Sequence, residues 1–275
     1  MKRADPELQN KLLEMLHWFH ALCVDNGLRY YALGGTMLGA VRHGGFIPWD
    51  DDIDVGMPRR DYERLFDAVS RAERTHYVLE TPTHSGEDFF YCYAKLYDTE
   101  TTLVENKKNR IRRGIYLDIF PLDGMGDTEE ESRKQFGRVD RRFKFFLART
   151  TGLRKGRDPL KNAAVVVSRL IPDALLNDRK LLLRIDALSA QRDFDDCLYG
   201  GNPYGAWRGR EIMPRAIMGT PALYRFEDME VYGAQDADAY LTRLYGDWRQ
   251  LPPEEKRVSH HDNIEYDLNR SYLEP

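Results

Sequence analysis

The sequence predicts an α/β or α+β fold, and three observations support this class. Short apolar segments alternate with amphipathic helical patterns, which is typical of helices packed on a sheet. The chain has 275 residues, of which 42% are hydrophobic and 31% charged, enough to bury a sizeable core. From about residue 129 to 191 the pattern becomes helical, with breaks near Gly152 to Pro159 and at Pro172. We therefore expect one domain over residues 1–275, with a mixed sheet and a helical insertion or appendage at about 129–191.

The first half of the chain contains the clearest local signals. Asp5-Pro6-Glu7 has the composition of a helix start, and Gly27 supplies a stop. Between them, apolar residues share one helical face: Leu8, Leu12, Met15, Leu16, Phe19 and Cys23. A short strand is expected from Leu28 to Leu33, followed by a short helix. Ile53-Asp54-Val55 reads as the centre of the next strand, and Pro58 opens a helix.

Later elements are marked by punctuating residues. Strand-like segments are expected at Tyr77 to Glu80, Phe89 to Tyr97 and Ile115 to Phe120. Pro121 is expected to end the last of these, and Asp123-Gly124 reads as a turn. The stretch from Tyr199 to Gly205 is interpreted as a loop, and a final helix is predicted at Ala237 to Tyr245.

Composition places the chain among cytoplasmic proteins. No apolar run approaches the roughly 18 residues of a membrane span, and the N-terminal pattern is amphipathic, unlike a signal peptide. The cysteines, Cys23, Cys92 and Cys197, have no zinc-type spacing and are expected to be reduced. No nucleic-acid partner is expected.

The charge of the chain is strongly asymmetric. The segment 133–157 carries +9, and because the whole chain carries −4, the remainder carries −13. Such a segment is typical of contact with an anionic partner such as a membrane surface, or of a solvated helical face. Val139, Phe143, Phe146 and Leu147 share one face of the predicted helix. They would make it an interfacial helix at the inner face of the membrane, or pack it on the core.

Three aspartates form the strongest candidate for a chemical site. Side chains alternate along a strand, so Asp52 and Asp54 project to one side while Ile53 and Val55 project to the other. Asp118 alternates in the same way with the apolar residues of a later strand. If the two strands are adjacent, the three carboxylates form a hard-oxygen site suited to Mg²⁺ or Mn²⁺.

Gly34-Gly35-Thr36 lies upstream of these aspartates, between a strand and a helix. Glycines there let a phosphate approach the backbone, and the helix N-terminus favours its negative charge. The order Gly-Gly, Asp-x-Asp and a later single Asp is the pattern of the nucleotidyltransferase (polymerase-β-like) fold.

Longer blocks of the sequence resemble the LicD family, and a looser version occurs in fukutin-like glycan phosphotransferases. The first block is Gly35-Thr-Met-Leu-Gly-Ala-Val-Arg-His-Gly-Gly-Phe-Ile-Pro-Trp-Asp-Asp-Asp-Ile-Asp-Val-Gly-Met57. Further matches are Gly114-Ile-Tyr-Leu-Asp-Ile-Phe-Pro-Leu-Asp123, Tyr240-Leu-Thr-Arg-Leu-Tyr-Gly246 and Leu251-Pro-Pro-Glu-Glu-Lys-Arg257.

The resemblance implies a phosphotransferase that takes an alcohol phosphate from a cytidine diphosphate donor, with CDP-choline the best-known donor in bacteria. The acceptor would be a hydroxyl of a glycan or lipid-linked glycan, and CMP would leave. Asp52 and Asp54 would bind the metal, and Asp118 would be a third ligand or the base. Polyol-phosphate transfer, nucleotidyl transfer and a non-catalytic glycan-binding role are the alternatives.

Other residues near the blocks are candidates for substrate contacts. Arg42 would stabilise charge on the diphosphate, and His43 would exchange protons or lock a loop. Trp49 would stack on the cytosine or choline group, or pack in the core. Lys95 is a candidate phosphate contact, with a solvated strand residue as the alternative.

The C-terminal part adds Arg257 as a phosphate contact, with His260 and His261 folding back over the site. The alternative is that these polar residues are simply solvated. An aromatic loop around Tyr204 and Trp207 would form a choline cage or an acceptor wall.

Overall fold

The computed structural model describes residues 4–73, 75–153, 159–172, 176–258 and 263–274. Helices in these ranges are α1 (Pro6–Asp25), α2 (Gly34–His43), α3 (Arg59–Arg71), α4 (Glu129–Thr150), α5 (Pro159–Arg169), α6 (Asp178–Ser189), α7 (Arg215–Met218) and α8 (Ala237–Tyr245). Strands are β1 (Tyr31–Ala32), β2 (Asp54–Pro58), β3 (Tyr77–Glu80), β4 (Ala94–Asp98), β5 (Thr102–Asn106), β6 (Arg110–Arg113), β7 (Tyr116–Gly126), β8 (Tyr199–Gly201), β9 (Ile212–Pro214), β10 (Ala222–Phe226), β11 (Met229–Gly233) and β12 (Asn263–Asp267).

The main sheet is mixed, as the sequence predicts. Its strand order is β1-β2-β7-β4-β3. Strand β2 runs parallel to β7, whereas β1 pairs with β2, β4 with β7 and β3 with β4 in antiparallel fashion. Helices α1, α3 and α4 pack against β7. The strand that carries Asp118 is therefore the central element of the fold, with a neighbour on each side to position a site.

Strand β7 is longer than predicted, and the expectation that Pro121 ends it is wrong. The strand continues to Gly126, and all its residues are buried. Pairing with β4 stops at Ile119, and pairing with β8 starts at Asp123. Pro121 lies in the interval between these two partners, where its missing N–H removes no antiparallel ladder bond.

The second half of β7 also overturns two loop assignments. Asp123 and Gly124, predicted as a turn, pair with Gly201 and Gly200. The predicted loop at Tyr199 to Gly205 therefore begins as strand β8, and β9 pairs with β8 in antiparallel fashion. Glycines at these positions signal a turn locally, but here they allow close strand contact: a Cβ on Gly200 would lie 2.7 Å from the carbonyl oxygen of Asp123.

The strongest helix predictions are confirmed. The Asp5 carboxylate accepts a hydrogen bond from the Glu7 amide at 3.0 Å and caps α1, and all six apolar residues on the predicted face are buried. Helix α8 has the predicted bounds. The strand predictions are less accurate: the segment Phe89 to Tyr97 is strand only from Ala94, and Leu28 to Leu33 contributes only the two residues of β1.

Two small sheets lie beyond the predicted elements. Strands β10 and β11 form a hairpin, and β12, β5 and β6 form a separate sheet. The hairpin turns at Glu227, a non-glycine residue with a φ of 54°. The sequence has no Gly at this turn, and so lacks the usual hairpin signal.

The helical character of 129–191 is confirmed in the described residues by α4, α5 and α6. The apolar face of α4 packs on the core, with Val139, Phe143 and Phe146 buried and Leu147 partly buried. These side chains are therefore not available for an interfacial helix. Residues 154–158 of the basic segment lie outside the described part.

A buried ion-pair network joins this helical section to the sheet. The Arg59 guanidinium, at the start of α3, donates to both carboxylate oxygens of Asp123 on β7 at 2.7 and 2.8 Å, and to Asp186 on α6 at 2.9 Å. Ser189 also donates to Asp123. Since breaking such a pair leaves an uncompensated buried charge, this network fixes α6 against the central strand. None of the helices in the described ranges is both long and apolar enough to cross a bilayer.

Candidate active site

The candidate site is a row of charged side chains across the three central strands. The parallel register places Asp54 of β2 opposite Asp118 of β7, and the antiparallel register places Lys95 of β4 opposite Asp118. Neighbouring strands are about 4.8 Å apart, so the three residues are lateral neighbours on the sheet. Asp52, just before β2, lines the same cavity as Asp54 and Asp118. All three carboxylates of the predicted site therefore line one cavity.

Lys95 is buried within this row. Only 1% of its surface is exposed, and its Nζ lies 2.7 Å from Oδ1 of Asp118. Aromatic rings surround the ammonium group: the ring centroid of Tyr116 is 3.1 Å from Nζ and that of Tyr91 is 4.4 Å away. Lys95 is therefore not a solvated strand residue. It holds Asp118, and it is not among the residues that line the cavity.

The electrostatics of the row favour recruitment of a further cation. Burial raises the pKa of Asp118; Lys95 opposes this shift, and nearby Glu105 and Asp52 add to it. Glu105 contacts the same two tyrosines that surround Lys95, and its carboxylate accepts hydrogen bonds from the hydroxyls of Tyr91 and Tyr116. Burial disfavours its charge, but Lys95 and the other polar groups hold the pKa of Glu105 below its usual range. Lys95 thus acts on both Asp118 and Glu105, and Lys107 also lowers the pKa of Glu105.

The first turn of α2 approaches the carboxylates closely. A Cβ on Gly35 would lie 2.5 Å from Oδ2 of Asp50, and one on Gly34 would lie 3.6 Å from Oδ2 of Asp54. The glycines therefore let carboxylates approach the positive end of the helix, and both glycines line the cavity. The Gly34 amide donates to the Tyr240 hydroxyl at 3.0 Å.

Thr36, the next residue, has a structural contact. Its Oγ1 accepts a hydrogen bond from the Asp54 amide at 2.8 Å, which ties the start of β2 to α2. The side chain is buried and is absent from the cavity lining. It acts on the site through the position of Asp54.

Arg42 and Trp49 line the cavity, whereas His43 and Arg257 contact these two residues and are not part of the lining. Arg42 donates to the Trp248 carbonyl at 2.8 Å and, through Nε, to His43 at 3.0 Å. Burial and the adjacent Arg42 lower the pKa of His43, so its neutral ring can accept that bond. The Arg257 guanidinium lies 5.8 Å from the centroid of Trp49 and donates to the Pro252 carbonyl at 2.8 Å. His260 and His261 lie outside the described residues.

The cavity has a volume of about 1140 Å³, large enough for a nucleotide-linked donor and part of an acceptor. Tyr204 and Trp207 of the aromatic loop line it, as the sequence suggested. Asp50 of the acidic run, a possible helper in the sequence interpretation, also lines the cavity. The residues that sequence reasoning missed are mainly acidic, basic and aromatic side chains from distant segments: Tyr91, Tyr93, Lys107, Arg208, Glu211, Tyr245, Asp247, Trp248, Glu255 and Lys256.

Glu211 is the most informative of the missed residues. Its carboxylate is buried and accepts a hydrogen bond from the Trp207 amide at 2.9 Å. Gly205 makes room for it, since a Cβ there would lie 2.0 Å from Oε1. Burial raises the pKa of Glu211 to about 7. A carboxyl group with this pKa can donate or accept a proton near neutral pH. The only sequence signal was the Gly-Asn-Pro-Tyr-Gly loop that surrounds it.

The donor set of Asp52, Asp54 and Asp118 fits a hard divalent cation. It offers carboxylate oxygens only, which suits Mg²⁺ or Mn²⁺ and disfavours softer metals. Together with the helix N-terminus and Arg42, such a site can bind and polarise a diphosphate. The fold and the site thus define a mixed α/β protein with a carboxylate-centred cavity built for an anionic ligand.

Comparison with known proteins gives the family. A family model described as "LicD/FKTN/FKRP, nucleotidyltransferase domain" matches residues 27–149, which include all three aspartates of the site. The lipopolysaccharide cholinephosphotransferase LicD of Haemophilus influenzae is 31% identical over 272 residues, which cover 95% of this chain and 97% of that protein. The chain therefore belongs to the LicD family.

More distant relatives share shorter regions. Human ribitol 5-phosphate transferase FKRP is 54% identical over 35 residues, 13% of this chain and 7% of that protein. Mannosyltransferase regulator 4 of Saccharomyces cerevisiae is 27% identical over 135 residues, 46% of this chain and 11% of that protein.

Proposed function

We propose that this protein transfers phosphocholine from CDP-choline to a hydroxyl of a cell-surface glycan precursor and releases CMP. The observation that carries the proposal is the pair Asp54 and Asp118, which line a cavity next to the helix N-terminus at Gly34-Gly35, with Lys95 buried behind Asp118. The likeness to a lipopolysaccharide cholinephosphotransferase along 95% of the chain supports the choice of transferred group.

The reaction breaks one phosphorus–oxygen bond and forms another. The acceptor hydroxyl oxygen attacks the choline-bearing phosphorus of the diphosphate. The bond from this phosphorus to the bridging oxygen breaks, and CMP leaves with the electron pair. The hydroxyl proton passes to a base of the protein. Most of the catalysis in such a transfer comes from positioning and from charge stabilisation.

Named residues divide these tasks. Asp52, Asp54 and Asp118 would hold Mg²⁺ or Mn²⁺, which supplies charge neutralisation on the phosphate oxygens. The first turn of α2 and Arg42 would bind the remaining phosphate charge. Since Asp118 is already paired with Lys95, Glu211 is the better placed of the two to accept the proton. Asp118 would then serve as a metal ligand.

One part of the cavity wall presents aromatic side chains that can hold a quaternary ammonium group. Trp207 and Tyr245 meet at an angle of 70° with their ring centroids 4.8 Å apart, and Trp248 lines the same wall. Aromatic faces in a cavity that also contains the carboxyl groups of Glu211 and Asp247 can attract a cation that carries no hydrogen-bond donors.

Release of CMP provides the test. The purified protein is incubated with CDP-choline, a glycan acceptor and Mg²⁺, and CMP is measured with and without chelator. Asp52→Asn and Asp54→Asn are expected to reduce CMP release by about a thousandfold, the scale of losing a major charge-stabilising group. Asp51→Asn is the matched control, since Asp51 does not line the cavity, and it should retain most activity.

The acceptor product separates the alternatives. A mass increase equal to phosphocholine supports the proposal, and an increase equal to a nucleotide would assign nucleotidyl transfer. Release of CMP from CDP-ribitol but not from CDP-choline would assign polyol-phosphate transfer. If no cytidine diphosphate donor yields CMP, the proposal is wrong.

A further inference from the structure

The second helix of the helical section has an unusual solvent face. Every exposed side chain described in α5 is apolar or alanine, and the exposed apolar surface continues past its end. The large members of this α5 outer face are Leu160, Val166, Val167, Leu170 and Ile171, with exposed fractions of 80%, 50%, 62%, 75% and 38%. A surface helix of a globular protein normally presents polar residues to water. Contiguous exposed apolar surface marks a contact site.

Hydrogen bonds at the C-terminal end of α5 fix its orientation. The Arg169 guanidinium donates to the Thr151 carbonyl at 2.7 Å. From α4, the buried Arg149 donates to the carbonyls of Ser168 and Ile171 at 2.8 and 3.0 Å, and so caps the C-terminal end of α5. The outer face is therefore held in one direction, and a rotation of the helix that would bury it would break these bonds.

The sequence around α5 is rich in positive charge. Between Arg141 and Ile171 the sequence contains nine Lys or Arg residues and one acid, Asp158. Arg141, Arg142 and Lys144 are exposed on α4, which packs against α5. Apolar side chains flanked by exposed cations complement a membrane surface with anionic headgroups.

The outer face is also connected to the cavity. Lys107 and Leu147 line the cavity, and Lys107 forms a β-bridge with Thr151. Thr151 is the residue that Arg169 binds at the end of α5. A surface that docks at α5 is thus joined to the cavity wall by two consecutive contacts, which would fix the wall relative to a lipid-linked acceptor.

We propose that the α5 outer face inserts into the interface of an anionic membrane, with the cations of α4 contacting the lipid phosphates. The occupant is a lipid surface because the face combines apolar side chains with an excess of positive charge. In this arrangement the apolar face of α4 stays in the core, and α5 supplies the inserted surface.

Vesicle co-sedimentation tests the proposal without any catalytic readout, so its result is independent of the proposed function. The full chain is mixed with vesicles of phosphatidylglycerol and phosphatidylcholine, or with vesicles of phosphatidylcholine alone. Binding is expected only to the first and should weaken with added salt. Val167→Glu with Leu170→Glu should weaken binding about tenfold or more.

Matched variants make the result specific. Val24→Glu with Leu223→Glu changes the same residue types at positions that are 51% and 50% exposed elsewhere on the molecule, and should leave binding unchanged. Arg141→Gln with Arg142→Gln should weaken binding to anionic vesicles about fivefold for each charge removed. Circular dichroism melting of each variant checks that it folds.

Three results would overturn the proposal. One is wild-type binding by the α5 double variant, and another is a failure of the native chain to bind anionic vesicles. The third is a concentration-dependent dimer in sedimentation equilibrium that the α5 variant abolishes, which would assign the face to contact between two copies of the chain.

Discussion

The replacement Glu211→Gln gives a quantitative test of the cavity's electrostatics. Glu211 is buried against Gly205, and its pKa is raised from an ordinary 4.5 to about 7 because burial disfavours the charged form. The folded protein therefore binds more protons than the unfolded chain between these pH values. Its free energy of unfolding should fall as pH rises through this window and should level off above about pH 7.

The size of the effect follows from the pKa shift. A rise from 4.5 to about 7, at about 1.4 kcal/mol per pKa unit, corresponds to about 3 kcal/mol. Glutamine resembles the protonated acid, can accept the hydrogen bond from the Trp207 amide and does not titrate. Glu211→Gln should thus match the native protein in stability at about pH 4.5 or below and exceed it by about 3 kcal/mol at about pH 8.5.

Urea unfolding at both pH values measures this difference. Glu63→Gln, an exposed change on α3, serves as the control and should show no pH-dependent difference. Equal stability of Glu211→Gln and native protein at the higher pH would refute the reasoning, as would a less stable variant there. The same variant separates the two candidate bases, because loss of CMP release would indicate Glu211 and an unchanged rate would indicate Asp118.

Two further predictions concern the carboxylate row and the first turn of α2. Lys95→Met should lower the free energy of unfolding by about 3–5 kcal/mol, since it leaves Asp118 buried without its cation. Urea unfolding should show that Asp118→Asn restores most of this loss in the Lys95→Met background, and purely additive effects would contradict the pairing. Gly35→Ala should raise the KM for the donor with little change in melting temperature. The added Cβ would lie 2.5 Å from Oδ2 of Asp50 and would therefore displace the Asp50 side chain. Gly137→Ala, with no atom within 4 Å of the added Cβ, is the helix control and should stabilise the protein by about 0.5–1 kcal/mol without a change in KM.

Predictions from local patterns succeeded where one segment contains the whole signal. The cap at Asp5, the spacing of the buried α1 face and the bounds of α8 follow from interactions within a few residues. Proline and glycine gave wrong boundaries in β7 and β8, because their effect depends on which neighbour strand lies beside them. Pro121 ends no strand here, since neither antiparallel partner pairs with β7 at that point.

The sequence by itself selected three candidate carboxylates, because the expected alternation along strands puts Asp52 and Asp54 on one face and sets Asp118 apart from its apolar neighbours. It also determined the family, through long contiguous blocks. Only the tertiary structure decided that Lys95 pairs with Asp118 and that Glu211 lines the cavity. It likewise decided that α5 exposes its apolar residues. Each of these depends on strand register and helix packing between segments far apart in the chain, which no local period encodes.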